Sequence, residues 1–155
     1  MKKSLFFVAS AALAVTVLSP GSASAIDVGE QKNFLSPSAC SGGDFKFTFR
    51  FNSNGGGAYR KLGYQHGNFA ATEIQVGVDP YTAPLTFCSG TGNGAGEGIK
   101  NNAASVTNAH TSYGGFVYYK SWWQGAYDSV QPARPTPVSK NLVNTYNENA
   151  SFKWG

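Results

Sequence analysis

Histidine, cysteine and carboxylate side chains carry most catalysis and zinc binding, and this sequence contains few of them. His66 and His110 are its only histidines, and neither lies in a recognisable metal-binding or catalytic-triad context. Together with Cys40 and Cys88 they could supply four zinc ligands, but their spacings resemble no zinc motif. The 8 Asp and Glu residues show no convincing acid pair, and a glycosidase pair stays open only because such carboxylates meet in space. We therefore predict a protein that is not an enzyme.

Amide and hydroxyl side chains, in contrast, recur in two similar elements. Residues 101–106 read Asn-Asn-Ala-Ala-Ser-Val, and residues 147–152 read Asn-Glu-Asn-Ala-Ser-Phe. A hairpin pattern precedes each element, and both hairpins contain the tripeptide Gly-Ala-Tyr, at 57–59 and at 125–127. Because hairpin and Asn-x-x-Ala-Ser element occur twice in the same order, we predict a duplicated unit.

The elements that must position these residues are strands. Only 13% of the residues are charged, and 19 glycines and 7 prolines separate short runs of β-forming residues. One stretch alternates aromatic and polar residues at a period of two, which is typical of a strand with one buried face: Phe45, Phe47, Phe49 and Phe51. Residues 26–41 are interpreted as an extended lead-in with a turn at Ser36. The sequence predicts an all-β fold.

The second hairpin carries an aromatic corner. Gly125 permits a positive φ that a residue with a Cβ resists, so Trp123 can fold back over the corner with Tyr118 beneath it. Strand alternation then sends Trp122 to the other face. An exposed indole there could stack on a sugar or anchor a protein partner. The alternative for Trp122 is packing within the sheet core.

A glycine occupies every second position of residues 90–98. The spacing of a phosphate-binding loop is absent and no helix pattern follows, which disfavours a phosphate site. The aspartates of calcium-binding glycine repeats are absent too. We predict a mobile surface loop, in which a side chain at Gly94 would cost less stability than a side chain at the Gly125 corner.

The first 25 residues predict a cleaved secretory signal peptide. Two lysines precede an apolar run over residues 5–18, and Ala-Ser-Ala at 23–25 is a suitable cleavage site. This apolar run is short for a membrane span. We therefore expect a secreted, extracellular protein of residues 26–155 that has no membrane span. Loss of the two lysines lowers the formal net charge from +4 to +2, which gives no support for nucleic-acid binding. In the oxidising exterior, Cys40 and Cys88 are expected to form a disulfide, with two free buried thiols as the alternative.

These features together resemble the βγ-crystallin fold, a sandwich of two interlocking Greek keys. Tyr118, Trp123 and Gly125 match the aromatic-corner signature of that family, whereas Arg50 and Gly55 occupy the two aromatic places in the first unit. The mature chain is most similar to small secreted bacterial proteins classed with the microbial metalloproteinase inhibitors. The resemblance implies one domain over residues 26–155, with Greek-key units at about 44–110 and 111–155.

The resemblance also implies calcium binding. The family motif has six positions: two that are Asn or Asp, two that are free, one that is Ser or Thr, and a final Ser. The two elements depart from this motif only at Val106, Glu148 and Phe152. Calcium takes six to eight oxygen ligands, and the few acidic residues here imply weak binding. One implied site consists of Asn101, Asn102 and Ser105, and the other consists of Asn147, Glu148 and Ser151. Backbone carbonyls from the hairpin of the other unit would complete each site. The alternative is that the two serines hydrogen-bond their own turns.

Three functions of different classes follow from this similarity. The favoured one is a proteinaceous inhibitor of an extracellular metalloprotease. The others are a calcium-binding structural or adaptor module of a secreted antagonistic complex, and a small toxin or cell-wall-binding protein. The expected partner is an extracellular protein, either a protease or a complex subunit.

We predict the inhibitory contact at residues 86–89. An inhibitor presents an exposed segment that is held rigid, so that little entropy is lost on binding. Phe87 would be the apolar anchor, and Cys88 would be tied down by the disulfide. The alternative for Phe87 is an ordinary core position. Trp122 is the second candidate for a partner contact.

Overall fold

The computed structural model describes residues 26–155, so the predicted signal peptide lies outside the described residues. A short helix, α1 (Val28–Leu35), takes the place of the expected extended lead-in, which was therefore a wrong prediction. Asp27 explains the difference, because its carboxylate accepts hydrogen bonds from the backbone N–H groups of Gly29 and Glu30 at 2.8 and 3.1 Å. A side chain that satisfies these free N–H groups stabilises the start of a helix.

Within residues 26–155, nine strands form three antiparallel sheets. Sheet A has the strand order β2-β1-β5-β8, sheet B has the order β7-β6-β9, and β3 and β4 form a separate hairpin. The strands are β1 (Phe47–Arg50), β2 (Tyr59–Leu62), β3 (Thr72–Gln75), β4 (Pro80–Ala83), β5 (Ser105–Asn108), β6 (Gly115–Lys120), β7 (Gln124–Val130), β8 (Val138–Asn141) and β9 (Ser151–Trp154). The predicted all-β class is confirmed.

The two halves of the chain exchange strands. In sheet A, β8 from the second half pairs with β5 from the first half. In return, the segment 66–69 of the first half lies along β9, where His66 and Phe152 exchange backbone hydrogen bonds at 2.8 and 2.9 Å. Each half thus lends its third extended segment to the sheet of the other half. This is the connection expected of two interlocking Greek keys, and it confirms the predicted βγ-crystallin-like architecture.

Aromatic side chains from both halves form the core between the sheets. The ring centroids of Phe47 and Phe152 lie 4.3 Å apart, and those of Phe49 and Phe152 lie 5.9 Å apart. All three rings are fully buried, as the alternation of the first strand predicted for Phe47 and Phe49. Because the core joins residues from both halves, the sheets stabilise each other by burying one shared apolar surface.

A disulfide joins the N-terminal segment to the edge of this core. Cys40 and Cys88 are bonded, with their Cα atoms 5.6 Å apart, which confirms the predicted bridge. The bond removes both thiols from any zinc site. Within the described chain, none of the helices has the length and apolar character that a membrane span requires.

Candidate functional site

The two hairpin corners are alike, because each has positive φ at the same three positions. The angles are 60°, 59° and 80° in the β6–β7 corner, and 58°, 71° and 70° in the β1–β2 corner. The residues are Trp122, Trp123 and Gly125 in the first case, and Asn54, Gly55 and Gly57 in the second. The corner therefore begins before Gly125, and two tryptophans adopt a conformation that side chains with a Cβ disfavour.

One serine hydroxyl supports each corner. The Ser151 hydroxyl accepts a hydrogen bond from the Trp123 N–H at 3.1 Å and donates one to the Lys120 carbonyl at 2.7 Å. The Ser105 hydroxyl accepts from the Gly55 N–H at 3.1 Å and donates to the Asn52 carbonyl. The same contacts thus occur twice, which is direct evidence of duplication. They differ from the local bonds of the alternative to calcium binding, because each hydroxyl bonds a hairpin corner some thirty to fifty positions away and not its own turn.

The two corner tryptophans point to different surroundings. Trp123 is half-buried over the corner, where its indole N–H donates to the Phe152 carbonyl at 2.9 Å. Tyr118 makes its ring contact with Tyr127, at 5.6 Å between centroids. Trp122 is 59% exposed, so it does not pack in the sheet core. The structure therefore agrees with the prediction of an exposed Trp122 indole and not with packing in the sheet core.

The predicted calcium ligands are distributed differently from the two expected sets. Asn101 and Glu148, one from each set, line a hollow of about 300 Å³ beside the β6–β7 corner. Ser105 lies instead at a second hollow, beside the β1–β2 corner. The Asn102 side-chain amide donates to the Gly98 carbonyl at 2.9 Å, and Asn147 is exposed.

Positive charge accompanies Asn101 and Glu148. Lys100 and Lys120 line the same hollow, and their ammonium groups disfavour a divalent cation by electrostatic repulsion. Among residues 26–155, no three His, Cys, Asp or Glu side chains are grouped so that they could hold a metal ion. A calcium ion in this hollow would therefore depend on one carboxylate and on neutral oxygens.

The prediction of an exposed inhibitory contact at Phe87 and Cys88 is wrong. Phe87 is only 1% exposed, and its ring meets that of Phe51 edge-on at 5.7 Å between centroids. Its backbone is covered by the glycine loop, because the Phe87 N–H donates to the Glu97 carbonyl at 2.8 Å and its carbonyl accepts from Gly96 at 3.0 Å. Cys88 is buried as well. Phe87 is thus the core residue of the alternative interpretation.

The two histidines make close contacts within the fold. His66 is fully buried, with Nε2 at 3.1 Å from the Thr72 hydroxyl and 3.9 Å from Oε2 of Glu30. Burial lowers the pKa of His66 to about 4, so its ring is neutral at pH 7. The Nδ1 atom of His110 accepts hydrogen bonds from the N–H groups of Ser112 and Tyr113, both at 3.1 Å.

Among the large apolar side chains of the described chain, the most exposed one lies at the tip of the β3–β4 hairpin. Val78 is 89% exposed, and Val76 is 64% exposed. Strand β3 of the hairpin is anchored, because Ile74 is buried and the Gln75 N–H, next to the turn, donates to the side-chain oxygen of Gln31 in α1 at 2.7 Å. Residues 72–78 alternate apolar and polar positions and so predict one strand, with Ile74, Val76 and Val78 on the same face. The strand instead ends at Gln75, and both valines lie in the exposed turn. Period-two alternation predicts a buried face without saying where the covering layer ends.

Comparisons with known proteins leave the family open. No family model matches the sequence, and a search of curated proteins finds no match. A solved structure described as "Evolution of the eye lens beta-gamma-crystallin domain fold" is similar over 74% of this chain and 91% of its own, with 12% sequence identity and a TM-score of 0.47. The fold assignment rests on the strand exchange and the duplicated corners, which are features of this chain itself.

Proposed function

We propose that this protein is a secreted, non-enzymatic inhibitor of an extracellular metalloprotease, and that the tip of the β3–β4 hairpin contacts the enzyme. The observation that carries the proposal is the exposure of Val78 and Val76 on a hairpin whose strand β3 is held by the buried Thr72 and Ile74. Isolated exposed apolar residues are common on protein surfaces. Here two of them lie in one four-residue turn, and a third, Tyr81, is 48% exposed on the returning strand β4. Three exposed apolar side chains on one hairpin suit a contact with a partner.

An anchored hairpin tip suits inhibition for an energetic reason. Protein association loses the freedom of each side chain and loop that it immobilises, so a segment that is already held binds more tightly. Antiparallel pairing of β3 and β4 over four residue pairs, Thr72–Ala83 to Gln75–Pro80, holds both ends of the tip. The valines would then enter the apolar subsites of a protease, where a few anchors supply most of the binding energy.

The test is a stoichiometric titration of an extracellular zinc metalloprotease with the mature protein. Val78→Asp should weaken inhibition by about tenfold or more, because a carboxylate would have to be desolvated in an apolar subsite. Val143→Asp is the matched control, since Val143 is 74% exposed and lies outside the hairpin. Both variants should retain the wild-type melting temperature.

Two results would contradict this proposal. If the wild-type protein inhibits none of a panel of extracellular metalloproteases, the protein is not an inhibitor of this class. If Val78→Asp and Val143→Asp inhibit as well as the wild type, the contact lies elsewhere on the surface. Co-purification with larger secreted chains, without inhibition, would favour the adaptor function instead.

Calcium binding is a second proposal, and it rests on Asn101 and Glu148, which line one hollow although they come from different halves of the chain. Oxygen ligands from separate elements suit a hard cation. Lys100 and Lys120 make the expected affinity weak. The ion would stabilise the junction between the two halves.

A further inference from the structure

A third hollow, of about 370 Å³, is used by neither proposal. It lies between α1, the β3–β4 hairpin and the β6–β7 corner. Its wall combines one exposed indole, three carboxyl groups and two neutral polar side chains: Trp122, Asp27, Glu30, Glu73, Asn68 and Thr82. The sequence gives no sign of this grouping, because its members come from four separate segments of the chain.

The backbone fixes the Trp122 indole at the edge of this hollow. The Trp122 N–H donates to the Gly67 carbonyl at 2.6 Å, and φ of Trp122 is 60°. A Cβ added to Gly67 would lie 2.5 Å from the Cε3 atom of the indole, so the ring packs directly on the Gly67 backbone. The equivalent position of the other corner holds Asn54, a residue type that tolerates positive φ. A large aromatic ring is therefore held in a strained conformation that a smaller residue would satisfy, and such strain often accompanies function.

A buried carboxyl group faces the same hollow. Glu30 is 8% exposed, and its Oε1 atom accepts a hydrogen bond from the Gly67 N–H at 2.5 Å. Its Oε2 atom accepts no hydrogen bond from any residue of the described chain, and the nearby Nε2 atom of His66 is engaged with Thr72. Burial raises the pKa of Glu30, the hydrogen bond from Gly67 offsets part of this rise, and the negative charges of Asp27 and Glu73 raise the pKa further. No Lys or Arg of residues 26–155 lines this hollow.

We propose that this hollow binds the guanidinium group of an arginine side chain from a partner polypeptide. A guanidinium is planar and can stack on an indole face, where the cation is attracted to the ring. Its N–H groups can donate to Oε2 of Glu30 and to the carboxylate of Glu73. A neutral sugar could also stack on Trp122, but it would leave the negative charges uncompensated. The three acidic side chains are not grouped as metal ligands, which disfavours a divalent cation.

The test measures binding of a fluorescently labelled, acetylated and amidated triarginine peptide to the mature protein by anisotropy at low salt. Trp122→Asn should weaken binding by about fivefold or more, since it removes the indole and keeps a residue that accepts positive φ. Glu73→Gln should weaken binding by about two- to fivefold, because an exposed charge pair is worth little. Glu97→Gln, which removes an exposed carboxylate from the glycine loop, should leave binding unchanged. Melting curves establish that each variant is folded.

Three outcomes would overturn the assignment. Wild-type affinity in both Trp122→Asn and Glu73→Gln would show that the peptide binds elsewhere. A loss in Glu97→Gln as large as that in Glu73→Gln would show unspecific attraction between opposite charges. Binding of an N-acetylglucosamine tetramer, abolished by Trp122→Asn and without any affinity for triarginine, would make this hollow a sugar site. None of these outcomes depends on whether the protein inhibits a protease.

Discussion

Substitution of one glycine in the loop 89–98 should destabilise the protein far more than substitution of its neighbour two residues later. Gly94 and Gly96 have the same φ, 86°, so an alanine at either position carries the same backbone cost of about 1–2 kcal/mol. A Cβ at Gly94 would lie 2.2 Å from Cγ of Phe51, whereas no atom lies within 4 Å of a Cβ at Gly96. Only Gly94→Ala therefore adds a steric cost.

The steric cost can be bounded from the surroundings of Phe51. Its ring meets the buried ring of Phe87 edge-on, so it cannot swing freely away from the loop. Overpacking of this kind costs about 1–3 kcal/mol. We expect Gly94→Ala to lower the free energy of unfolding by roughly 2–5 kcal/mol in total, and Gly96→Ala by about 1–2 kcal/mol.

Urea unfolding of the two variants at pH 7 measures the difference directly, provided that both have the wild-type m-value. Their melting temperatures should differ by at least about 3 °C. Equal losses of stability would show that the loop does not rest on Phe51, and would support the mobile loop that the glycine pattern predicts. Gly125→Ala should resemble Gly96→Ala, because its nearest neighbour is a flexible lysine atom at 3.4 Å. This order reverses the one expected from the sequence, in which Gly94 is the more tolerant position, because the sequence does not show that Gly94 rests on Phe51.

Two further predictions concern protons and calcium. The folded chain resists protonation of His66, whose pKa is about 4, whereas the unfolded chain takes up the proton near pH 6.5. Stability should therefore fall by roughly 2–3 kcal/mol between pH 7 and pH 4.5. The raised pKa of Glu30 acts in the opposite direction, so the contribution of His66 has to be isolated with a variant. Urea unfolding at several pH values should show that the free energy of unfolding of His66→Gln depends less on pH than that of the wild type. The same pH dependence in both proteins would contradict the assignment. Millimolar calcium should raise the melting temperature by about a degree or two relative to excess chelator. Glu148→Gln should abolish this increase in melting temperature. Superimposable melting curves of the wild type with calcium and with chelator would exclude the calcium site.

The sequence predicts those features that depend on local pattern. Period-two alternation places Phe47 and Phe49 in the core, and the two cysteines of an exported chain form their bridge. The repeated Gly-Ala-Tyr tripeptides mark two corners with positive φ at the same three positions. Each of these inferences depends only on residues that are close in the sequence or, for the disulfide, on there being just two cysteines.

The features that the sequence does not predict depend on contacts between distant segments. Phe87 reads as an exposed anchor until the glycine loop is seen to pair with its backbone. Helix α1 is marked only by the Asp27 cap, because its two buried residues are the polar Glu30 and Asn33. Asn33 is buried because its side chain bonds to the N–H groups of Gly63 and Tyr64, some thirty positions away. Long-range hydrogen bonds of this kind leave no periodic pattern.

The exchange of strands between the two sheets makes the domain indivisible. A fragment that stopped before residue 138 would leave β5 as an unpaired edge of sheet A, and it would lack β9, which carries Phe152 into the core. Exposed edges and apolar surfaces of this kind favour aggregation. Although the sequence is duplicated, the domain cannot be cut into two working modules. During synthesis, sheet A cannot be completed before residue 141 has emerged, and sheet B cannot be completed before residue 154.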